Sequence, residues 1–327
     1  MFRLSNAAAM AAPIVEPIVT PTSFCARALG VLLLIGSGAV AAETLPDVPE
    51  GAQAVSLTGE ALFPGTPNEA VASNLAEARG TYERDPDDAD KIIWYGRRKA
   101  YTGDYRGAIE TFSEGIEKFP EDARLYRHRG HRYITIREFD RAIADLERAA
   151  TLIEGTENET EPDGAPNALG IPVSSLHGNI WYHLGLAYYL KHDWPNALRA
   201  YDAGFAAGRN DDNRVSTTHW RYMILRRMGR VEEAAAVLDV IREDMEIIEN
   251  MSYHSLCLFY KGLLSFDELV SGNEDSPAGA AVLYGAANWQ LYAGDAEEGY
   301  AMMEALTSTA SWAGFGFIAA EADLAAR

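Results

Sequence analysis

From about residue 70 onward, apolar positions recur at helical spacing in short blocks, each ended by a glycine or a proline. Ala70, Leu75, Ala78 and Tyr82 share one face and Asp85-Pro86 closes that block, which predicts a first helix starting at Asn68. The clearest pattern begins at Trp181. Leu184, Gly185 and Tyr188 follow it, and nine residues after Tyr188 comes Ala197, then Tyr201 and Gly204. This spacing predicts two short antiparallel helices rather than one long one. Gly185 and Ala197 let the backbones approach, while Trp181, Leu184, Tyr188 and Tyr201 fill the seam.

The same spacing recurs in Gly96, Gly103, Tyr105, Ala108, Phe112, Gly115 and Pro120, and again in Tyr126, Gly130, Tyr133, Phe139, Ala142, Leu146 and Ala149. Ala108 and Ala142 stand 34 residues apart. Weaker copies cover about Val215 to Ile241, a helix at Tyr253 to Gly262 with a short partner at Phe266 to Val270, and Ala278 to Leu306. Gly103, Arg137, His192, Gly229, Gly262 and Gly294 mark the turns inside the successive pairs. Trp312 to Ala326 predicts a last helix whose apolar stripe covers the end of the array.

The W-x2-L-G-x2-Y segment, the later A-x3-Y and the 34-residue period resemble the tetratricopeptide repeat. The resemblance runs over about residues 70–310 and is strongest in 89–208. It implies an all-α, right-handed α-solenoid of about five to six helical hairpins with a C-terminal capping helix. One such hairpin cannot bury its own apolar face, so neighbours must stack on it. The third hairpin arrives 21 residues late, and the surplus falls in Gly155 to Ser175, rich in Gly, Pro, Asn and acids. That stretch reads as an insertion loop (155–175).

Composition narrows the function classes. Over 327 residues, 48% hydrophobic content and 10% aromatics exclude a globally disordered chain. With 28 basic and 48 acidic residues the net charge is −20, which disfavours nucleic acid as a partner. Cys25 and Cys257 are the only cysteines, too few for a disulfide framework or a cysteine zinc site. Arg27 precedes an apolar run from Ala28 to Val40, and Ala39-Val40-Ala41 offers small residues for cleavage. Residues 1–42 therefore read as a signal peptide cut near Ala41/Ala42, leaving no stable membrane span and a periplasmic or secreted product. An uncleaved N-terminal anchor is the alternative. Residues 43–68, dense in Pro and Gly, read as an irregular linker ahead of a repeat domain at 69–327.

Gly-x-Ser-x-Gly, a Walker loop, a Rossmann fingerprint and HExxH are all missing, so no enzymatic activity and no cofactor are assigned. In the resemblance, the first helix of each hairpin lines a concave groove used to hold a peptide or a protein. Its expected contacts are Arg97, Tyr101, Arg127, His131, Asn179, Tyr182, Tyr189, His219 and Arg226. Arginine, histidine and amide groups within so acidic a chain suit an acidic peptide or a carboxylate. The bland reading pairs those arginines with neighbouring Asp and Glu. Ile93 and Arg97 stand where carboxylate-clamp members of the family carry Lys and Asn, which argues against that chaperone-tail function. The basic run Arg124 to Arg137 reads as a mixed face with one or two buried ion pairs, and Asp85 to Asp90 as a solvated turn rather than a calcium loop. The competing functional class is a small-ligand or metal-binding protein or enzyme with a His/Arg-lined groove. It requires at least three of His128, His131, His183, His219 and His254 in one pocket.

Overall fold

The computed structural model describes residues 44–271 and 277–327, so the export segment and Cys25 lie outside the described residues. Residues 44–46 belong to a separate N-terminal unit, and the unit Asp47–Arg327 holds every named element. It is all-α apart from one short ribbon. After a lone α1 (Glu69–Arg84), helices pair as α2 (Ala89–Tyr101) with α3 (Tyr105–Lys118), and α4 (Ala123–Thr135) with α5 (Phe139–Leu152). Next come α6 (Leu176–Leu190) with α7 (Trp194–Ala207), and α8 (Asp211–Arg227) with the short α9 (Val231–Val237). Then follow α10 (Met251–Tyr260) with the one-turn α11 (Phe266–Val270), α12 (Pro277–Ala293) with α13 (Ala296–Thr307), and α14 (Phe315–Ala325).

Local chemistry explains these boundaries. Asn68, Asp88, Asp104, Asp122, Ser175, Asp193 and Asn210 each cap a helix by accepting from a first-turn amide. Each such cap is worth about 1 kcal/mol. Close helix approach depends on the missing side chains of three glycines. A Cβ on Gly96 would stand 2.4 Å from the Phe112 ring, on Gly130 2.8 Å from Leu146, and on Gly185 2.7 Å from Tyr201. Leu184, Ala197 and Tyr201 are fully buried in the third seam. Tyr188 lies only half-buried at the edge, its hydroxyl donating to Glu147 of the preceding hairpin at 2.8 Å.

Gly103, Gly229 and Gly262 have φ of 87°, 72° and 74°, the left-handed conformation that such tight turns use. Arg137 and His192 adopt the same conformation, at 68° and 57°, without being glycine. Their side chains show why. Arg137 grips the Glu321 carboxylate of α14 with two hydrogen bonds, 2.9 and 2.8 Å, and donates to the Trp312 carbonyl at 2.9 Å. His192 Nε2 stands 3.1 Å from Asp323, which also takes the guanidinium of Arg227. Two hairpin turns thus trade backbone ease for a hold on the last helix.

That hold sets where the C-terminal elements lie. Helix α14 packs on α12 and α13, as a cap should, but it also touches α6. Trp312, expected to open this helix, sits in the turn before it instead, and its indole donates to the Phe63 carbonyl at 2.7 Å. Residues read as an irregular linker contain a two-stranded antiparallel ribbon, β1 (Ala54–Val55) with β2 (Ala61–Leu62). Gly51 and Gly59, at φ 80° and 95°, supply the bends, and Gln53 accepts from the Arg106 amide of the first hairpin. The acidic turn Asp85–Asp90 is spent on inter-hairpin ion pairs, with Lys91 on Asp85, Lys118 on Asp87 and Arg124 on Asp90.

Gly185→Ala should lower stability by about 1–3 kcal/mol in a urea unfolding curve, since the new methyl enters a ring that has no room to retreat. Arg137→Ala should cost more, about 3–5 kcal/mol, because it strands a buried Glu321. Adding Glu321→Leu to Arg137→Ala should recover most of that loss. A single variant as stable as wild type would refute the role given to the clamp.

Candidate functional site

The insertion loop lies down over the first helices instead of projecting from them. An antiparallel bridge between Thr160 and Ser175 closes its base. Arg97 donates to the Pro162 carbonyl and Arg98 to the Gly164 carbonyl, both at 2.9 Å. Gly164 passes so near α2 that a Cβ there would come within 2.2 Å of the Tyr101 hydroxyl. This arrangement drives Glu161 inward. Its carboxylate stands 3.2 Å from Arg127, 3.2 Å from His128 Nε2, and accepts from Asn179 at 2.6 Å.

Around it, three adjoining lobes form one chamber between α2, α4, α6, the loop, the stretch before α10, and α14. The first, about 250 Å³, is lined by Arg97, Tyr101, Arg127, His128, His131, Arg132, Glu161 and His183. Asn179, Ser174, His183 and Glu249 carry it into a second lobe of about 250 Å³ walled by Tyr182, Tyr253 and Phe315. A third, about 340 Å³, is bounded by His131, Tyr253, Ala281, Ala313, Gly314, Phe315 and Gly316. His131 and His183 stand ring to ring at 4.2 Å, with Phe315 5.3 and 5.6 Å away, and mark the crossing between lobes.

Three guanidiniums, of Arg97, Arg127 and Arg132, and three carboxylates, of Glu161, Asp163 and Glu249, line the first lobe; only Arg127 and Glu161 are buried, and Glu249 is exposed at the rim. Elsewhere on α4 the basic run is paired as expected: Arg129 grips Asp145 with two bonds of 2.7 Å, and Arg124 holds Asp122. Arg132 differs. Among the described residues it has no carboxylate within ion-pair distance, and its guanidinium rests over the Tyr105 ring at 5.5 Å. Arg127 is 9% exposed, and its Nε is buried without a hydrogen-bond acceptor. Burial pulls Arg132 down to about 10 and lowers Arg127 too, but both remain charged at neutral pH.

The histidines there are neutral. Burial first, and the neighbouring cations second, hold His128, His131 and His183 well below the usual imidazole range. Arg127 Nη1 donates to His128 Nδ1 at 2.8 Å, which places the His128 proton on Nε2, toward Glu161. His183 Nδ1 donates to the Asn179 carbonyl at 2.6 Å. The chamber therefore offers fixed cationic donors beside neutral imidazoles. Among the described residues, no group of three or more His, Cys, Asp or Glu converges as a metal site.

Of the residues expected on an open inner face, Arg97, Tyr101, Arg127, His131 and Asn179 meet in the first lobe and Tyr182 in the second. Tyr189, His219 and Arg226 do not join them. Tyr189 is 1% exposed and bonded to Tyr284 at 2.6 Å. His219 is equally buried, stacked between Tyr253 and Tyr260, and burial pushes it down to about 3. Arg226 lies over the Tyr292 ring at 4.4 Å. The expected open groove is corrected accordingly: Glu161 covers Arg127, Phe315 covers His131, and α10 and α12 pack on α8. Three of the five histidines required by the small-ligand reading, His128, His131 and His183, do share one pocket. Arg132, read only as part of the basic run, Phe315, read only as part of the last helix's apolar stripe, and Glu161 were not among the expected site residues. The acidic insertion was the only linear signal for Glu161, and nothing in the local pattern ties Phe315 to α4.

His128 and His183 would take protons near pH 6.5 in the unfolded chain but not in the fold, so their stabilisation is present above about 6.5 and lost as pH falls toward the folded value. Each accounts for at most about 1.4 kcal/mol per pH unit in that window. His128→Asn/His183→Asn should therefore flatten the fall in unfolding free energy between about pH 6.5 and 5 relative to wild type. Parallel slopes in urea titrations would exclude these two residues as its source.

No family model and no curated protein matches the chain. Several solved structures are similar to it. A TPR protein with an unusual peptide-binding site, YrrB, is 16% identical at a TM-score of 0.41, over 69% of this chain and 97% of that one. MamA is 18% identical at 0.40, over 51% and 84%. The Cut9-Hcn1 hetero-tetramer of the APC/C is 13% identical at 0.47, over 74% of this chain but 44% of that one. The spacing of the hairpins, their left-handed turns and the glycine-to-Phe112, Leu146 and Tyr201 seams give the chain the fold of stacked tetratricopeptide-like helical hairpins.

Proposed function

We propose that this chain is a non-catalytic interaction scaffold whose partner, a protein, presents an acidic group to the mouth of the chamber. The observation that carries the reading is the unmet bonding of two chamber cations, Arg132 with no carboxylate at ion-pair distance among the described residues and Arg127 with a buried Nε lacking an acceptor, in a chain of net charge −20. Local ion pairing, the ordinary fate of helix-surface arginines, has used up Arg124 and Arg129 but not Arg132. Arg97 and Tyr101 stand at the entrance, Tyr101 40% exposed, where a partner can reach them. An extended peptide along the whole inner face is a poorer fit, because α10, α12 and α14 occupy much of that face.

Work outside the cytoplasm is part of the same proposal, supported by the Arg27, Ala28–Val40 and Ala39-Val40-Ala41 pattern. Among the described residues no helix is long and apolar enough to cross a membrane. Neutral His128, His131 and His183 in one pocket also favour a second reading, in which the chamber takes a small ligand directly.

A photo-crosslinking residue at position 101 should capture a defined partner in the native cell envelope. Yield should fall roughly tenfold with Arg97→Gln/Arg132→Gln and decline with added salt. A crosslinker at Val231, exposed on α9, serves as the control. Identical capture from both positions, or capture indifferent to the two arginines, would refute the chamber mouth as the binding surface.

A further inference from the structure

Two features of the chamber go beyond a generic attraction for acids. The first is the unmet bonding of its cations. Arg127 Nε is buried with no acceptor, an unfavourable state unless a bound group supplies one. Arg132, beside it on α4, lacks an anion of its own. Glu161 commits one oxygen to Arg127 and Asn179, its other oxygen faces His128 without a hydrogen bond, and neither stands within ion-pair distance of Arg132.

The second is the change of character from one lobe to the next. Past the His131–His183 pair, the third lobe is walled by Ala281, Ala313, Gly314, Phe315 and Gly316. Small side chains leave the space, and one aromatic ring supplies a surface. No Arg or Lys lines this lobe, and Asn250, Ser252 and the exposed Glu249 confine its polar groups to the stretch around the start of α10. A cationic end and an apolar end thus lie one imidazole apart. Lobes of about 250 and 340 Å³ each hold a handful of heavy atoms, far too few for a helix or a domain.

We infer that the chamber is a receptor for a small organic acid: a carboxylate set against Arg132 and Arg127 Nε, with a short apolar arm lying along Phe315. A carboxylate matches the planar guanidinium fork, and as a monoanion it meets less repulsion from Glu161 than a phosphate dianion does. The apolar arm adds affinity with each methylene removed from water. Enclosure by the insertion loop and α14 favours a free acid over the end of a polypeptide, although both carry the same group. This inference rests on the anion-binding reading of the chamber and adds the identity of its occupant.

Calorimetric titration of the full chain with acetate, hexanoate and inorganic phosphate tests it, alongside a hexapeptide ending in leucine with a free or an amidated C-terminus. Hexanoate should bind about tenfold or more tighter than acetate, and tighter than phosphate. Arg132→Gln should weaken both acids about tenfold or more. Phe315→Ala should leave acetate binding unchanged and remove the advantage of hexanoate. Circular dichroism confirms that each variant is folded, and Arg124→Gln, on α4 but outside the chamber, should leave both acids unaffected and so guards against a general effect of altering that helix.

Absence of binding by either acid, a titration unaffected by Arg132→Gln, or phosphate binding tighter than hexanoate would overturn the inference. A free-ended peptide that binds more tightly than hexanoate, and is lost on amidation, would overturn the free-acid source in favour of a polypeptide end. Partner capture at position 101 with silent acid titrations would sink this inference and leave the scaffold reading standing. Acid binding with no partner captured would do the reverse.

Discussion

Two buried carboxylates on the last helix, Glu321 at 1% exposure and Asp323 at 4%, govern the rest of the architecture. Carboxylates taken from water must find cations and hydrogen-bond donors there, or the fold does not form around them. Glu321 finds Arg137 in the turn of the second hairpin. Asp323 finds His192 in the turn of the third, Arg227 at the end of α8, and the Tyr284 hydroxyl at 2.9 Å. Four separate parts of the chain are thereby tied to one short helix. The two non-glycine residues that hold left-handed turns are the same two that reach across to it, and at Arg137 the local backbone cost is offset by a long-range ion pair.

Everything at the candidate site follows from that attachment. With α14 drawn over α6, Phe315 meets His131, His183 and Tyr182, and an inner face that would otherwise stand open becomes a walled chamber. The insertion loop supplies the opposite wall through Arg97, Arg98 and Glu161. Its acid neutralises only part of the charge on α2 and α4. In a low-dielectric pocket the remainder attracts anions more strongly than the same arginines would on an open helix, despite the chain's net negative charge.

From the chamber wall inward, the inner side is filled by a continuous aromatic cluster. Tyr182 and Tyr253 share a hydrogen bond of 2.7 Å, Trp220 donates to Tyr182, and His219 stacks with Tyr253 and Tyr260. Apolar area with a few internally paired polar atoms makes good core, which is why Tyr189 and His219 are structural here. Cys257 belongs to the same interior: it is fully buried, and burial pushes its thiol up, away from the reactive thiolate.

The local code was legible in the chain itself. Helix-period apolar spacing, Asp and Asn caps, and small residues opposite large ones at Gly96, Gly130 and Gly185 are effects within about 30 residues, and they determine the hairpins and their order. The turn positions were equally plain, including Arg137 and His192. What those two side chains do was not, since their partners lie 184 and 131 residues further along. The same limit applies to the site. Arg97, Tyr101, Arg127, His131 and Asn179 could be placed on first helices by register, and they do converge. Whether that face stays open depends on where α14 and the insertion loop settle. Buried charge pairing across the whole chain decides this, and no local periodicity encodes it.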